Sequence, residues 1–368
     1  MKILICPDKF KGSFSAEKIT DFIFSALKKK FPEAEFMKFP LADGGEGSAK
    51  ILAPLFDTHP LSLTVHNPIF EPVETEYFFS RKHKTAIIEM SAASGLHLLK
   101  ETEKNPLHTS TYGTGEMISN AVNKGAETVY LTLGGSATND AGCGAAEAVG
   151  YKFYDKNGKQ IKHIAGKNLI EIAKIDDSEV TINFQKIKVI TLYDVNNTLY
   201  GKTGAAFIYA NQKGANSKAI KLLDKGLKHF GKLILNNYKT DINNCNGCGA
   251  AGGLGAGSKI FFNAELKAGA ENILRLSGFY EQIKNTDLII TGEGKFDKQS
   301  FNGKLTGTII KESKKAKIPY IVICGISEIK NKVFADNVLP LFKKFPGTEY
   351  ARKQTPERIE QIINLCLI

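Results

Sequence analysis

The chain has 368 residues, a net charge of +11 and 42% hydrophobic residues, enough for two domains with sizeable cores. No apolar run reaches the roughly 18 residues of a membrane helix, and residues 1–7 are too short for a secretory signal; a cytoplasmic enzyme or binding protein, with no membrane partner, is expected. Nor does the charge point to nucleic acid, because only Arg81, Arg275, Arg352 and Arg358 are arginines and the lysines are scattered as on a solvated surface.

Residues 2–6 form a short apolar strand, followed by a loop at 7–13. Ser15 suits an N-cap, and Ile19, Phe22, Ile23, Ala26 and Leu27 recur at the spacing of one buried helix face. A second strand at 34–39 ends in a loop at 40–48, with a helix through 55. This βαβα opening demands a parallel sheet. From 61 to 90 the pattern becomes antiparallel, with Asn67-Pro68 as a turn. Gly113-Thr114-Gly115 opens a helix and offers further backbone donors. Residues 128–133 are a buried strand, and the turn from Gly134 to Asp140 leads into a helix of small residues from 145. A strand-to-helix turn of this kind presents backbone N–H groups to an anion, although glycine-rich turns also arise for steric reasons. It is not a Walker loop, since no Gly-Lys-Ser/Thr follows.

A polar hairpin and connection fill 152–188, a strand at 187–192 ends at Asp194, and a helix runs to about 230. Cys245-Asn246-Gly247-Cys248 lacks a second cysteine pair, and reads as two incidental thiols rather than a zinc or redox centre. The glycines of 247–257 suit close helix packing. Alternation then returns, with strands at 287–290, 319–324 and 337–341, a helix at 305–313 and a last helix capped by Thr355-Pro356. Two strands at the front and three at the back make a five-stranded flavodoxin-like sheet. The predicted fold is α/β: a discontinuous, Rossmann-like parallel-sheet domain of residues 1–60 plus 284–368, and an inserted α/β domain with a mixed sheet, 61–283.

Four loops at strand ends combine acid, hydroxyl or amide groups, three of them with glycine: Asp8 to Ser13, Asp43 to Ser48, Asp194 to Asn197 and Thr291 to Gln299. Each admits a plain structural reading as an Asx turn or helix cap. Together, without a Ser-His-Asp grouping or a histidine cluster, they suit a reaction done by positioning and charge neutralisation, which is phosphoryl transfer with Mg²⁺. Asp194 is the candidate base, because it ends an otherwise apolar strand and no histidine has a comparable setting. Glu293 and Asp297, flanking a glycine at a strand end, are the candidates for Mg²⁺. Lys11, Asp43, Gly44, Gly45 and Ser136 are expected to face one interdomain cleft that holds the active site.

Six strings occur in order: Pro7-Asp8-x-Phe10-Lys11-Gly12-Ser13, Ala42-Asp43-Gly44-Gly45-Glu46-Gly47, Gly134-Gly135-Ser136-Ala137-Thr138-Asn139-Asp140, Gln212-Lys213-Gly214-Ala215, Gly249-Ala250-Ala251-Gly252-Gly253 and Thr291-Gly292-Glu293-Gly294-x-x-Asp297-x-Gln299. Together they resemble the bacterial type I glycerate kinase family over essentially the whole chain. The resemblance implies ATP- and Mg²⁺-dependent phosphorylation of D-glycerate, usually at O2, by a flavodoxin-like domain and a restriction-endonuclease-like domain. The candidate site is then Asp194 and Lys11 for catalysis; Asp8, Asp43, Gly44, Gly45 and Ser91 for substrate; Gly134, Gly135, Ser136, Thr138 and Asn139 for ATP phosphates; and Glu293 and Asp297 for the metal. Lys9, Lys104 and Thr198 depart from the family's usual Ser, Arg and Pro. Phosphorylation at O3, a related hydroxy acid as substrate and a homodimer all stay open. A dinucleotide-dependent oxidoreductase is disfavoured, because the 7–12 loop has no GxGxxG.

Overall fold

The computed structural model describes residues 1–301, 303–329 and 337–366. The chain divides into two compact units, Met1–Asp43 with Ala270–Ile368, and Gly44–Gly269. The crossings therefore fall at 43/44 and 269/270 rather than near 60 and 284. Local bonding explains the first shift. Glu89, in the central unit, accepts the backbone N–H groups of Gly47 and Ala49, so the helix Ser48–Leu52 is held there. At the other crossing, the Phe279 ring packs 6.3 Å from Phe39 and draws 279–282 into the first unit.

The first unit is built on five parallel strands in the spatial order Val338–Pro340, Tyr320–Ser327, Leu288–Phe296, Lys2–Ile5 and Glu35–Lys38. Numbered along the chain this is the 2-1-3-4-5 order of flavodoxin-like sheets. Ser15 caps the helix Ala16–Lys30, whose Ile19, Ile23 and Leu27 are buried with Ile359 and Ile363 of the helix Thr348–Cys366. That last helix starts earlier than predicted, after Gly347 at φ +93°, and runs through Pro356 instead of beginning there. A second correction concerns the Thr291–Gly294 string. It was expected in a loop, yet the strand continues through it to Phe296, with Glu293 in register with Cys324. Glycine makes this possible: a Cβ on Gly292 would lie 1.9 Å from the Ile323 carbonyl oxygen.

The second unit carries a six-stranded mixed sheet in the order Glu265–Ala268, Lys188–Tyr193, Thr128–Leu133, Thr85–Glu89, Pro72–Ser80 and His59–His66. The last two strands are the antiparallel pattern of 61–90, and the other four run parallel. A small antiparallel sheet forms from Lys152–Tyr154, Gln160–Ile161 and Lys174–Asp176. Gly113 and Gly115 lie inside the helix Tyr112–Asn123 and are packing glycines, not anion donors. Their Cβ positions would fall 2.0 Å from the His66 carbonyl oxygen and 2.2 Å from that of Ala145. Cys245 and Cys248, expected as free thiols, are joined in a disulfide.

Candidate functional site

The candidate residues gather in two clusters, one in each unit. In the first unit the loops leaving Lys2–Ile5 and the far end of Leu288–Phe296 border a cavity of about 570 Å³. These two strands are neighbours at the point where the strand order reverses, the switch point at which open α/β sheets bind ligands. Asp8, Lys11, Asp43, Glu293 and Asp297 all line this cavity, although they are far apart in sequence. Asp8 is fixed by its backbone N–H to the Gly292 carbonyl (2.8 Å), and its carboxylate accepts the Lys9 N–H (2.7 Å). Lys9, the departure from the family pattern, lies 3.9 Å from Asp43.

Asp8, Asp43 and Glu293 are buried carboxylates within reach of one another's fields. Burial, and then the charge of Asp43, hold the Asp8 carboxyl well above its ordinary range. Burial likewise pushes Glu293 up to about 7, with Asp43 adding to it. Glu293 is 6% exposed, and its Oε1 is buried with no hydrogen-bond partner among the described residues. Asp297 differs. Its carboxylate accepts the Gln299 N–H (2.8 Å) and lies 3.4 Å from Lys295, so it also builds its own turn.

The second cluster sits at the C-terminal edge of the central sheet. Tyr193 is in register with Leu133, so Asp194 leaves its strand level with Gly134. The Gly44–Gly47 loop crosses the same edge. A Cβ on Gly134 would lie 2.6 Å from the Gly45 Cα, and one on Gly44 would lie 2.7 Å from the Gly269 Cα. Ser91 is buried and donates to Glu89 (3.2 Å), the acid that holds this loop. It is therefore placed to support the loop from beneath.

Only Gly134 and Gly135, with the edge of Ser136, reach solvent from the glycine turn; Thr138 and Asn139 are fully buried. The helix after the turn, Cys143–Ala148, does not offer its N-terminus to a ligand, contrary to the expectation from sequence. Asp140 already occupies that end. It accepts the N–H groups of Gly142 and Gly144 (both 3.2 Å), and also the N–H (2.8 Å) and hydroxyl (2.7 Å) of Thr111.

The glycerate kinase family model matches residues 3–366, and so spans both clusters. This chain belongs to the glycerate kinase family. A glycerate kinase of Halalkalibacterium halodurans is 39% identical over 98% of this chain and 95% of its own length. A glycerate 2-kinase of Escherichia coli is 38% identical over 88% of this chain and 85% of its own. Among solved structures, a protein assigned as glycerate kinase 2 from Salmonella typhimurium LT2 superposes with a TM-score of 0.83 at 33% identity, covering 100% of this chain and 97% of that one.

One functional candidate of this kinase went unassigned in the sequence. Lys213 is 3% exposed, and its Nζ donates to Ser136 Oγ and to the Thr138 carbonyl, both at 2.7 Å. Nothing local in Gln212-Lys213-Gly214-Ala215 reveals this contact, because it spans 77 positions. The departures at 104 and 198 are absorbed locally. Lys104 pairs with Glu101, and Thr198 donates to the Tyr200 carbonyl (3.0 Å). Asn197, three positions after the candidate base Asp194 in sequence, has its amide oxygen buried without a partner among the described residues.

Proposed function

We propose that this kinase transfers the γ-phosphoryl group of ATP to O2 of D-glycerate, releasing 2-phosphoglycerate and ADP. The observation that carries the reading is the set of buried acids Asp8, Asp43 and Glu293 at the switch point of a parallel sheet, interleaved with Lys9 and Lys11. In such a site the lysines, and a cation held by the carboxylates, would neutralise a polyphosphate and hold it still, which is most of what phosphoryl transfer requires.

The donor set fits Mg²⁺. The orphaned Glu293 Oε1 is an unused hard oxygen ligand, while among the described residues no three acidic, histidine or cysteine side chains form a protein-only metal cage. Mg²⁺ takes one or two carboxylates and completes its shell with phosphates and water. Glu293 would hold it from the sheet, with Asp297 close by on the same cavity wall. Bound there, the ion supplies charge neutralisation of the phosphates.

The remaining roles fall to the chain's own groups. Lys11 binds an anionic oxygen in the cavity. Asp8 and Asp43 orient the acid substrate and its neighbouring lysines. Gly134, Gly135 and Ser136 present donors to phosphate at the edge of the central sheet. Asp194 accepts the proton that the attacking hydroxyl must lose, and Gly44 and Gly45 let their loop lie close against Gly269 and Gly134. The reaction runs in the cytoplasm, where ATP is supplied.

Purified protein incubated with ATP, Mg²⁺ and D-glycerate tests the proposal, with phosphorus and carbon NMR of the product. A phosphoryl group on C2 supports it, and one on C3 moves the regiochemistry. No ATP-dependent turnover of glycerate rejects it.

A further inference from the structure

The Gln212-Lys213-Gly214-Ala215 string has no part in the reaction as derived above. Lys213 ends the short turn Asn211–Lys213, and the chain behind it is pinned. Gly214 has φ +95°, and a Cβ there would lie 2.0 Å from the Lys104 carbonyl oxygen. From this anchor the lysine side chain runs through a fully packed interior to the glycine turn. Both acceptors of its Nζ, Ser136 Oγ and the Thr138 carbonyl, belong to that turn.

A hydroxyl oxygen that accepts from an amine must aim its own proton elsewhere. With Lys213 in its ammonium form, which can only donate, Ser136 has no acceptor among the described residues for that proton. It is 8% exposed, and Gly135 beside it is open to solvent. We propose that Lys213 is a positioning residue of this kinase, which acts through Ser136 by fixing that hydroxyl as a donor towards an anionic substrate oxygen. The oxygen belongs either to a phosphate of ATP or to the carboxylate of glycerate. The inference rests on the proposed kinase reaction and adds to it the group that makes the turn selective for anions.

A supporting property follows from the same burial. Among the described residues no carboxylate hydrogen-bonds to it, so desolvation lowers Lys213 to about 7, with the charge of Asp140 opposing. Other charged groups near the turn include Glu46, whose carboxylate lies 3.6 Å from the Cβ position of Gly135, Glu89, which accepts from Ser91 packed against Gly135, and Lys104, paired with Glu101 on the segment packed against Gly214. An anion arriving at Ser136 favours the charged ammonium, so binding at about pH 8 takes up a fraction of a proton.

The test uses the full chain. Steady-state kinetics with ATP and glycerate varied separately, and calorimetric titrations with each substrate in two buffers of different ionisation heat, are compared for wild type, Lys213→Met and Ser136→Ala. Lys213→Met is expected to raise the KM of one substrate about tenfold or more, the loss of a charge-assisted contact. The substrate affected identifies the anion. Proton uptake on binding that substrate should vanish in Lys213→Met, a readout that simple loosening of the fold would not move. Ser136→Ala should raise the same KM. Unchanged KM values for both substrates in either variant overturn the proposal, as does proton uptake equal to wild type in Lys213→Met. Should Lys213→Met fail to fold, Ser136→Ala alone decides by the same criterion. Absence of turnover in the wild type instead defeats the proposed reaction, and the proton uptake on ATP binding still judges Lys213.

Discussion

Asp140 offers the sharpest test of how the glycine turn is held. Its Oδ2 accepts three donors, the N–H and hydroxyl of Thr111 and the N–H of Gly144, while Oδ1 accepts the N–H of Gly142. In Asp140→Asn the amide oxygen can keep the Oδ2 position, so three bonds survive but lose their ionic character. The amide nitrogen must then face the Gly142 N–H, donor against donor. Weakening of three bonds, one lost bond and relief of a buried charge sum to a net loss of about 2 kcal/mol. Asp140→Ala leaves all four donors unanswered in a fully buried site, and roughly 4 kcal/mol is expected. Urea unfolding followed by circular dichroism measures both. Because the turn carries Ser136, kcat/KM should fall in the Asn variant even where it remains folded. An Asn variant within about 0.5 kcal/mol of wild type, below any of the losses counted, would refute the assignment of Asp140 as the group that closes the helix end.

Three further outcomes are expected. Asp194→Asn keeps size and turn hydrogen bonding but removes basicity, so turnover should drop by about 10²–10⁴ with folding intact; a variant retaining more than about a tenth of wild-type turnover places the base elsewhere. Lys11→Ala should raise KM for an anionic substrate and lower turnover, by roughly 1.5–3 kcal/mol in kcat/KM, and unchanged kinetics remove Lys11 from the site. Glu293, held up at about 7 against an ordinary value of 4.5, binds more proton in the folded chain between those values, so it makes stability fall as pH rises through that window. With EDTA present, Glu293→Gln should escape that fall by roughly 2–4 kcal/mol between about pH 5 and pH 8, and parallel pH profiles of the two proteins would contradict it.

Much of this molecule is legible in its residues because local rules and the fold agree. The apolar run at 2–6, the Ser15 cap and the Ile19, Ile23 and Leu27 face lead directly to a parallel sheet with a packed helix, and the return of alternation after 284 supplies the three later strands. Asp8, Asp43 and Glu293 drew attention in the sequence as acids near glycines with little packing purpose, and all three line one cavity of the first unit. What the sequence could not carry is everything decided by approach between distant segments. Gly292 reads as a loop residue, yet it lies within a strand, and it is glycine because the Ile323 carbonyl of the neighbouring strand leaves no room for a side chain. The turn after Leu133 reads as an open helix N-terminus, but Asp140, hydrogen-bonded to Thr111 twenty-nine positions away, fills that end from within. Lys213 looked like one basic residue among many until folding buried its Nζ against Ser136, 77 positions earlier. Propensity and periodicity act over a few residues and determine the elements; burial, charge repulsion and hydrogen-bond closure act across hundreds, and only the tertiary structure decides which polar groups are spent on the fold and which remain for the substrate.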